Sequence, residues 1–461
     1  MLHMFYGRET ERKKLCTMFR SDGQMISLIY GRRRIGKSEL IKQVLKETDI
    51  KSIYYECKQT TEQNNVDSLA ELTGEIFDFP KPAFENMEAL LRFLFKKSEK
   101  EPIIFVLDEY PYLRENSKGL DSVLQSVIDH YKDTSNMKLI VCGSYVDTMK
   151  ALLEKQNPLY GRIDLTINLK PMDYYESAMF YSGFSEEDKV RLYSVFGGIP
   201  YYNRLIDAKK SVRENIIELI ASSGARLENE VSMYLNSEIS KITNANEVFE
   251  ALAKGFSRYK DILDQSNVSS GPALVDILDK LMRMDVVAKE APINDENNRK
   301  KSGYFISDNL SLFYYKYIFR NMSRMNIMDP DIFYDRYIAD DFETKYIPKC
   351  FERICKQYLL RKNRKGLMDE IFEKIGKYYY DDPVKKENGE FDIVTLDDRG
   401  YIFYEAKFRK EPITESIVQN EIRQVKQTGL ECYRYGFFSR SGFTCEEGTN
   451  RILIELRELY K

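Results

Sequence analysis

Along residues 1–170, short continuous apolar runs alternate with stretches in which apolar residues recur every three or four positions. The runs are MISLIYG (25–31), KSIYYE (51–56), PIIFVLDE (102–109) and KLIVCGS (138–144). Runs this continuous predict strands buried on both faces, and helical periodicity between them predicts crossovers, so a parallel α/β sheet is expected. From about 171 to 325 the pattern is mostly helical and rich in tyrosine. SRMNIMDPD (323–331) reads as a linker. Beyond about 340 come a helix, strands, a helix, a strand and a final helix, the order of a separate α/β unit.

One strand in that last unit raises a chemical question. In YIFYEAKFRK (401–410), Ile402, Tyr404, Ala406 and Phe408 are expected to face a core, while Glu405 and Lys407 point the other way. Upstream, GEFDIVTL (389–396) is a second strand, joined to the first by DDRG, a natural turn. A hairpin closed by that turn pairs Leu396 with Tyr401. It therefore sets Asp392 opposite Glu405 and Glu390 opposite Lys407. Directly opposed carboxylates repel, and a divalent cation between them removes the conflict. Lys407 on the same face is placed to stabilise an attacking water or a developing phosphorane charge, with Glu390 as its salt-bridge partner. The plain alternative is a solvated hairpin with alternating charges.

Composition narrows the chemistry. The 461 residues exceed one compact core, so several domains are expected. A net charge of −3 gives no global attraction to nucleic acid, so any DNA contact needs a local basic patch. Seven scattered cysteines, none in a C-x-x-C pair, suit a reducing compartment. Two histidines leave little room for histidine-based zinc sites or Ser–His catalysis. No apolar run approaches the ~18 residues of a membrane span. MLHMFYGRETERKK lacks the apolar stretch of a secretory leader, so the cytoplasm is the expected compartment.

YGRRRIGKSEL (30–40) contains G-x-x-x-x-G-K-S after an apolar strand and before a helical pattern, the setting of a P-loop. The backbone of Gly31, Arg32, Arg33, Arg34, Ile35 and Gly36 is expected to cradle phosphate. Lys37 would meet the β/γ oxygens and Ser38 would bind Mg²⁺. The strand IIFVLDEY (103–110) ends in Asp108, expected in the Mg²⁺ shell, and Glu109, expected to activate the attacking water. Ser144 ends a further strand and reads either as a polar sensor of the γ-phosphate or as an ordinary turn serine. Arg162, in NPLYGR, reads either as a cation reaching a neighbouring phosphate or as a structural surface arginine.

With FYGRETERKKL (5–15), FVLDEY, GSYVDTMK, PLYGR and GGIPYYN (197–203), these motifs resemble the archaeal-type ATPase family, P-loop ATPases of the AAA+/STAND division. The resemblance implies that Phe5 to Glu9 lie near the nucleotide base. It also implies a helical lid and a winged-helix module after the core. The expected domains are a P-loop ATPase core (1–170), a helical lid (171–245), a winged-helix-like module (246–325) and a C-terminal domain (335–461). In the winged-helix region Arg299, Lys300 and Lys301 would sit at the wing tip. Lys280 and Arg283 on the recognition helix are offset by Asp276 and Asp279, so DNA reading competes there with a structural or protein-binding role.

Asp…Glu-x-Lys on a hairpin resembles the PD-(D/E)XK nuclease fold, with Phe391 in place of the proline. The archaeal-type family commonly carries such a domain at its C-terminus. The resemblance implies an acid on the preceding helix, which Glu352 supplies, and help from Gln419 or Gln424 on the last helix. The metal, Mg²⁺ or Mn²⁺, would lie between Asp392 and Glu405. Lys356, Arg361, Lys362, Arg364 and Lys365 read as a DNA footprint or a solvated helix end. The expected cofactors are ATP and Mg²⁺, and the expected partners are DNA and a second copy or another protein. Two functions remain open: an ATPase coupled to a nuclease, or a STAND-like regulatory protein with an inactive C-terminal binding domain.

Overall fold

The computed structural model describes residues 5–238, 245–298, 300–382, 387–446 and 448–461. Two units emerge. The first comprises Met1–Pro171 with Ile199–Tyr201, and the second Met172–Gly198 with Tyr202–Lys461. Apart from Pro171 and Ile199–Tyr201, the segments expected as lid, winged-helix module and C-terminal domain fall in the second unit. SRMNIMDPD is partly helical, through Met322–Met325 and the start of Pro330–Tyr334, and does not separate units.

In the first unit helix α1 (Glu9–Arg20) leads into β1 (Met25–Tyr30), α2 (Lys37–Leu45), β2 (Lys51–Glu56), α3 (Glu62–Phe77) and α4 (Met87–Lys97). Then follow β3 (Ile103–Asp108), α5 (Tyr110–Asn116), α6 (Leu120–His130), β4 (Met137–Gly143), α7 (Val146–Ala151) and β5 (Leu165–Asn168). The strands form one parallel sheet in the order β2-β3-β4-β1-β5. Every residue of β3 and β4 is buried, as their unbroken apolar runs require. Each fully buried Ile, Leu or Phe contributes about 1.5–3 kcal/mol, so the carboxyl ends of these strands are rigid anchors. β5 is new to the sequence reading: four residues, LTIN, are too few to show a period.

The second unit begins with helices, including Glu186–Phe196. It continues into three helices, Ala245–Ala253, Tyr259–Gln265 and Gly271–Arg283, and an antiparallel pair, β6 (Val287–Glu290) and β7 (Gly303–Ile306). Its last part is a helix, Ile347–Arg364, followed by β8 (Lys374–Asp382), β9 (Glu387–Asp397) and β10 (Gly400–Lys407). A helix, Glu415–Gln427, then precedes β11 (Cys432–Ser439) and β12 (Arg451–Glu455). These strands make one mixed sheet, β12-β11-β10-β9-β8, antiparallel from β8 to β10 and parallel from β10 to β12. Tyr401 pairs with Leu396, the register the DDRG turn predicts.

Helices cover both faces of this sheet. Phe408 packs on Phe351 of the helix Ile347–Arg364. Phe403 is buried with Val418, Ile422 and Val425 of the helix Glu415–Gln427. The expectation that only the even positions of β10 are buried is therefore corrected, because a second helix roofs the odd face. Tyr404 lies across β11 at Gly436, where any Cβ would stand 2.1 Å from the ring. The edge strand β8 is capped by the loop after β6. Ile293 N–H donates to Lys377 O at 2.8 Å, and Asn294 donates to Tyr379 O and accepts from its N–H at 2.8 and 3.1 Å. Such a cap removes a free pairing edge.

Candidate functional site

The phosphate motif forms the turn between β1 and α2. Gly31 passes so close to β5 that a Cβ would stand 2.4 Å from Leu169 O, and Gly36 turns the chain at φ 95° into the N-terminus of α2. Arg34 takes φ 67° and lies 4.2 Å from the Tyr201 ring centroid. Arg8 is buried and donates to Ile35 O at 3.4 Å, which puts part of the FYGRE segment against this loop. Lys37 is also buried. Its Nζ donates to Gly31 O at 2.9 Å and Arg32 O at 3.2 Å, so its ammonium sits in the mouth of the loop. Backbone N–H groups at a helix N-terminus beside a lysine make an anion cradle.

The acids approach this loop from β3. Asp108 Oδ2 accepts from Ser38 Oγ at 2.7 Å and from Tyr54 OH, while Oδ1 accepts from the Glu109 N–H at 3.0 Å. A hydroxyl and a carboxylate in contact are hard oxygen donors that suit Mg²⁺. When bound, the ion supplies charge neutralisation of the phosphates; Ser38 and Asp108 are the residues that would hold it. Glu109 adopts φ 52°, a left-handed conformation that costs a non-glycine residue energy and aims its carboxylate at β4. There Ser144 donates to it through N–H at 3.2 Å and through Oγ at 2.9 and 2.8 Å to its two oxygens. β4 lies between β1 and β3, so the sheet order itself brings Ser144 to the acid. Arg33 donates to Tyr112 OH and Tyr145 OH at 3.1 and 2.8 Å, tying the loop to the residues just after Glu109 and Ser144.

Arg162 is elsewhere. It pairs with Asp129 at 2.8 and 2.9 Å and donates to the Pro158 and Tyr160 carbonyls. Its neighbour Asp164 bonds Ile26, at the start of β1, whereas the phosphate loop follows the end of β1. At about 3.3 Å per residue that strand separates the two by nearly its whole length, roughly 15–20 Å. Of the two readings of Arg162, its contacts are those of a structural arginine near the start of β1, away from this chain's phosphate loop.

The second cluster lies at one end of the mixed sheet. One step past the last paired residues of β9 and β10, Ile393 and Tyr404, stand Asp392 and Glu405. Lys407 Nζ bridges Glu405 Oε1 at 2.6 Å and Glu421 Oε1 at 2.9 Å. Lys377 on β8 bridges Glu390 at 2.5 Å and Asp392 at 3.0 Å. Glu390 thus partners Lys377, not Lys407 as expected. Glu352 projects into the group from the helix Ile347–Arg364. Burial, with the charges of Asp392 and Glu405, pushes its carboxyl up to about 8, against Lys349 and Lys377. Burial also raises Glu405, which Lys407 opposes and Glu421 and Asp392 reinforce. Lys407 is itself held above its ordinary value by Glu405 and Glu421, against burial. Like carboxylates crowded in a half-buried site are a donor set that fits a hard divalent cation. Among the described residues no three Asp, Glu, His or Cys side chains already stand in a metal-holding arrangement, and the two lysines supply the counter-charge.

Sequence reasoning missed Lys377 and Glu421. Lys377 lies on β8, thirty residues before Lys407, and Glu421 lies between the glutamines that were singled out. Gln419 instead bonds Glu415 at 2.8 Å, and Gln424 is exposed. Much of the expected basic surface has internal partners. Lys301 bridges Asp295 and lies 4.2 Å from the Tyr379 ring centroid; Arg299 is outside the described residues. Lys356 pairs with Glu290, Arg361 with Asp173, and Lys280 with Asp276. Lys300, Arg364 and Lys365 are exposed.

A phosphate loop after β1, acids at the end of β3 and a polar residue just after the intervening β4 are the arrangement of a P-loop ATPase core. Residues 5–205 match a family described as an ATPase domain predominantly from Archaea, which supports ATP binding and hydrolysis by this region. Residues 314–425 match a family described as archaeal and bacterial proteins of unknown function. An uncharacterized protein of Methanocaldococcus jannaschii is 28% identical over 461 residues, covering 99% of this chain and 100% of the relative. A second uncharacterized protein of that organism is 31% identical over 68 residues, 14% of this chain and 66% of the relative. A Walker-type ATPase of Pyrococcus abyssi superposes at a TM-score of 0.52 with 20% identity, over 68% of this chain and 96% of that one, a likeness of fold. No described helix is long and apolar enough to cross a membrane.

Proposed function

We propose that this protein is an ATPase of the AAA+/STAND type whose P-loop domain controls a C-terminal, metal-dependent nuclease of the PD-(D/E)XK type acting on DNA. The observation that carries the C-terminal half is the convergence of Glu352, Asp392, Glu405 and Lys407 from one helix and two strands on one sheet end. The strand and helix order, helix, three antiparallel strands, helix, parallel strand, supports the same reading. Asp392 and Glu405 would hold the metal, which when bound activates water and neutralises the scissile phosphate. Lys407, steered by Glu421, donates to the phosphoryl oxygens on which charge develops, with Glu352 assisting. In the first unit Glu109 orients and deprotonates water beside the γ-phosphate, while Ser144 holds it in place. The three helices with β6 and β7 act as a winged-helix module, with Lys300 on the connecting loop facing solvent.

The test is cleavage of linear and circular DNA with Mg²⁺ or Mn²⁺, with and without ATP, comparing wild type with Lys407→Ala. Cleavage lost in the variant supports the reading; no cleavage by wild type in any arm refutes it. One observation favours a second reading, a nucleotide-dependent regulatory protein with a DNA-binding but inactive C-terminal domain. Asp392 and Glu405 each already have an ammonium partner, within 3.0 and 2.6 Å. Retained DNA binding without cleavage, changing with nucleotide, is its signature.

A further inference from the structure

Asp108 is held by a residue that none of the nucleotide motifs contains. Its Oδ2 accepts two hydrogen bonds, one from Ser38 Oγ at 2.7 Å and one from Tyr54 OH. Tyr54 lies on β2, the edge strand next to β3, where Glu56 is the residue opposite Asp108. The hydroxyl therefore reaches along the sheet to the carboxylate from one pleat back on the same face. The ring is half-buried and has the Lys42 ammonium of α2 at 4.9 Å from its centroid. Among the described residues its hydroxyl donates to that carboxylate.

We propose that Tyr54 is a positioning residue for the Mg²⁺-dependent step of nucleotide binding, fixing the Asp108 carboxylate that, with Ser38, would hold the ion. The proposal rests on the ATP-site reading of residues 31–38 and Asp108. Ser38 is a short side chain whose oxygen would also hold the cation, so its hydroxyl would serve two partners. Tyr54 supplies Asp108 with a second donor that is not itself a ligand. A phenol on a packed ring holds Oδ2 against rotation and spreads its charge, leaving Oδ1, with its own backbone N–H, to keep the carboxylate plane. A hydrogen bond to a charged group is stronger than a neutral one, so its loss is felt where the carboxylate works.

The experiment titrates ATP by calorimetry against the full chain in excess EDTA and across a Mg²⁺ series, for wild type, Tyr54→Phe, Tyr55→Phe and Lys37→Ala. Tyr55→Phe is the matched control: it removes the neighbouring phenol on the same strand, which bonds Asn65 at 2.7 Å. The expected result is that Tyr54→Phe needs about tenfold more Mg²⁺ to reach half of the metal-dependent gain in affinity, a loss in the range of one charge-assisted hydrogen bond. Its affinity in EDTA stays at the wild-type value, and Tyr55→Phe matches wild type throughout. A wild-type Mg²⁺ midpoint for Tyr54→Phe overturns the proposal, as does an equal shift in Tyr55→Phe, which would mark general loosening of β2. If Lys37→Ala loses ATP while Tyr54→Phe titrates as wild type, only the role of Tyr54 falls. If Lys37→Ala binds ATP normally, the ATP-site reading falls as well.

Discussion

Glu352→Gln is a direct probe of the C-terminal cluster because it reads on stability and needs no substrate. Glu352 is pushed from 4.5 to about 8 by burial first and then by Asp392 and Glu405. In the unfolded chain its proton leaves near 4.5; in the folded protein it stays until about 8. Between those values the unfolded chain binds fewer protons, so folding stability falls as pH rises. The contribution of the neutral acid is complete below pH 4.5 and is lost by pH 8. At about 1.4 kcal/mol per pH unit the full swing is about 5 kcal/mol, of which about 3 kcal/mol is felt by pH 7. Water penetration and screening at a half-buried site reduce this to about 1–2 kcal/mol.

Glutamine keeps the shape and never ionises. Glu352→Gln should therefore unfold with the wild type at pH 5 and about 3–6 °C above it at pH 8. Thermal unfolding of both proteins followed at the two pH values measures this difference. Mn²⁺ should narrow the gap at pH 8 by stabilising the ionised wild-type cluster. A gap that is the same at pH 5 and pH 8 would refute the idea that Glu352 is a protonated acid crowded by Asp392 and Glu405.

Two further outcomes are expected in the first unit. Ser144→Ala removes the two Oγ hydrogen bonds to the Glu109 carboxylate and leaves the backbone N–H bond, so ATP turnover should fall about 10-fold while ATP affinity changes little; an unchanged turnover number in a steady-state assay would show that Ser144 Oγ does not aim the base. Arg162→Ala breaks a partly exposed pair with Asp129 and should cost less than about 1 kcal/mol by chemical denaturation, with ATP affinity unaltered; a weakened affinity in the isolated chain would contradict its position near the start of β1, away from the phosphate loop.

The phosphate site was readable because its parts are local. Gly31 to Ser38 form one turn, and Asp108 and Glu109 end an unbroken apolar strand, so spacing alone places them. The hairpin register from Tyr401–Leu396 to Tyr404–Ile393 was readable for a related reason: a short turn leaves no freedom in a hairpin, and period two carries the count along both strands. The residues that partner these groups were not readable. Tyr54, Lys377 and Glu421 come from other elements, and each looks in sequence like one more tyrosine, lysine or glutamate on an ordinary strand or helix face.

What the chain by itself determined was therefore the chemistry of each motif and the elements that carry it, since turns, strand periods and phosphate loops depend on neighbours a few residues apart. Tertiary structure decided which charges meet. Sheet order put Ser144 against Glu109, and strand direction put Arg162 at the wrong end of β1 for phosphate. A second helix over β10 buried Phe403 and delivered Glu421 to Lys407. Coulomb energies depend on distance through space and on how much water is excluded, and neither quantity is set by separation along the chain.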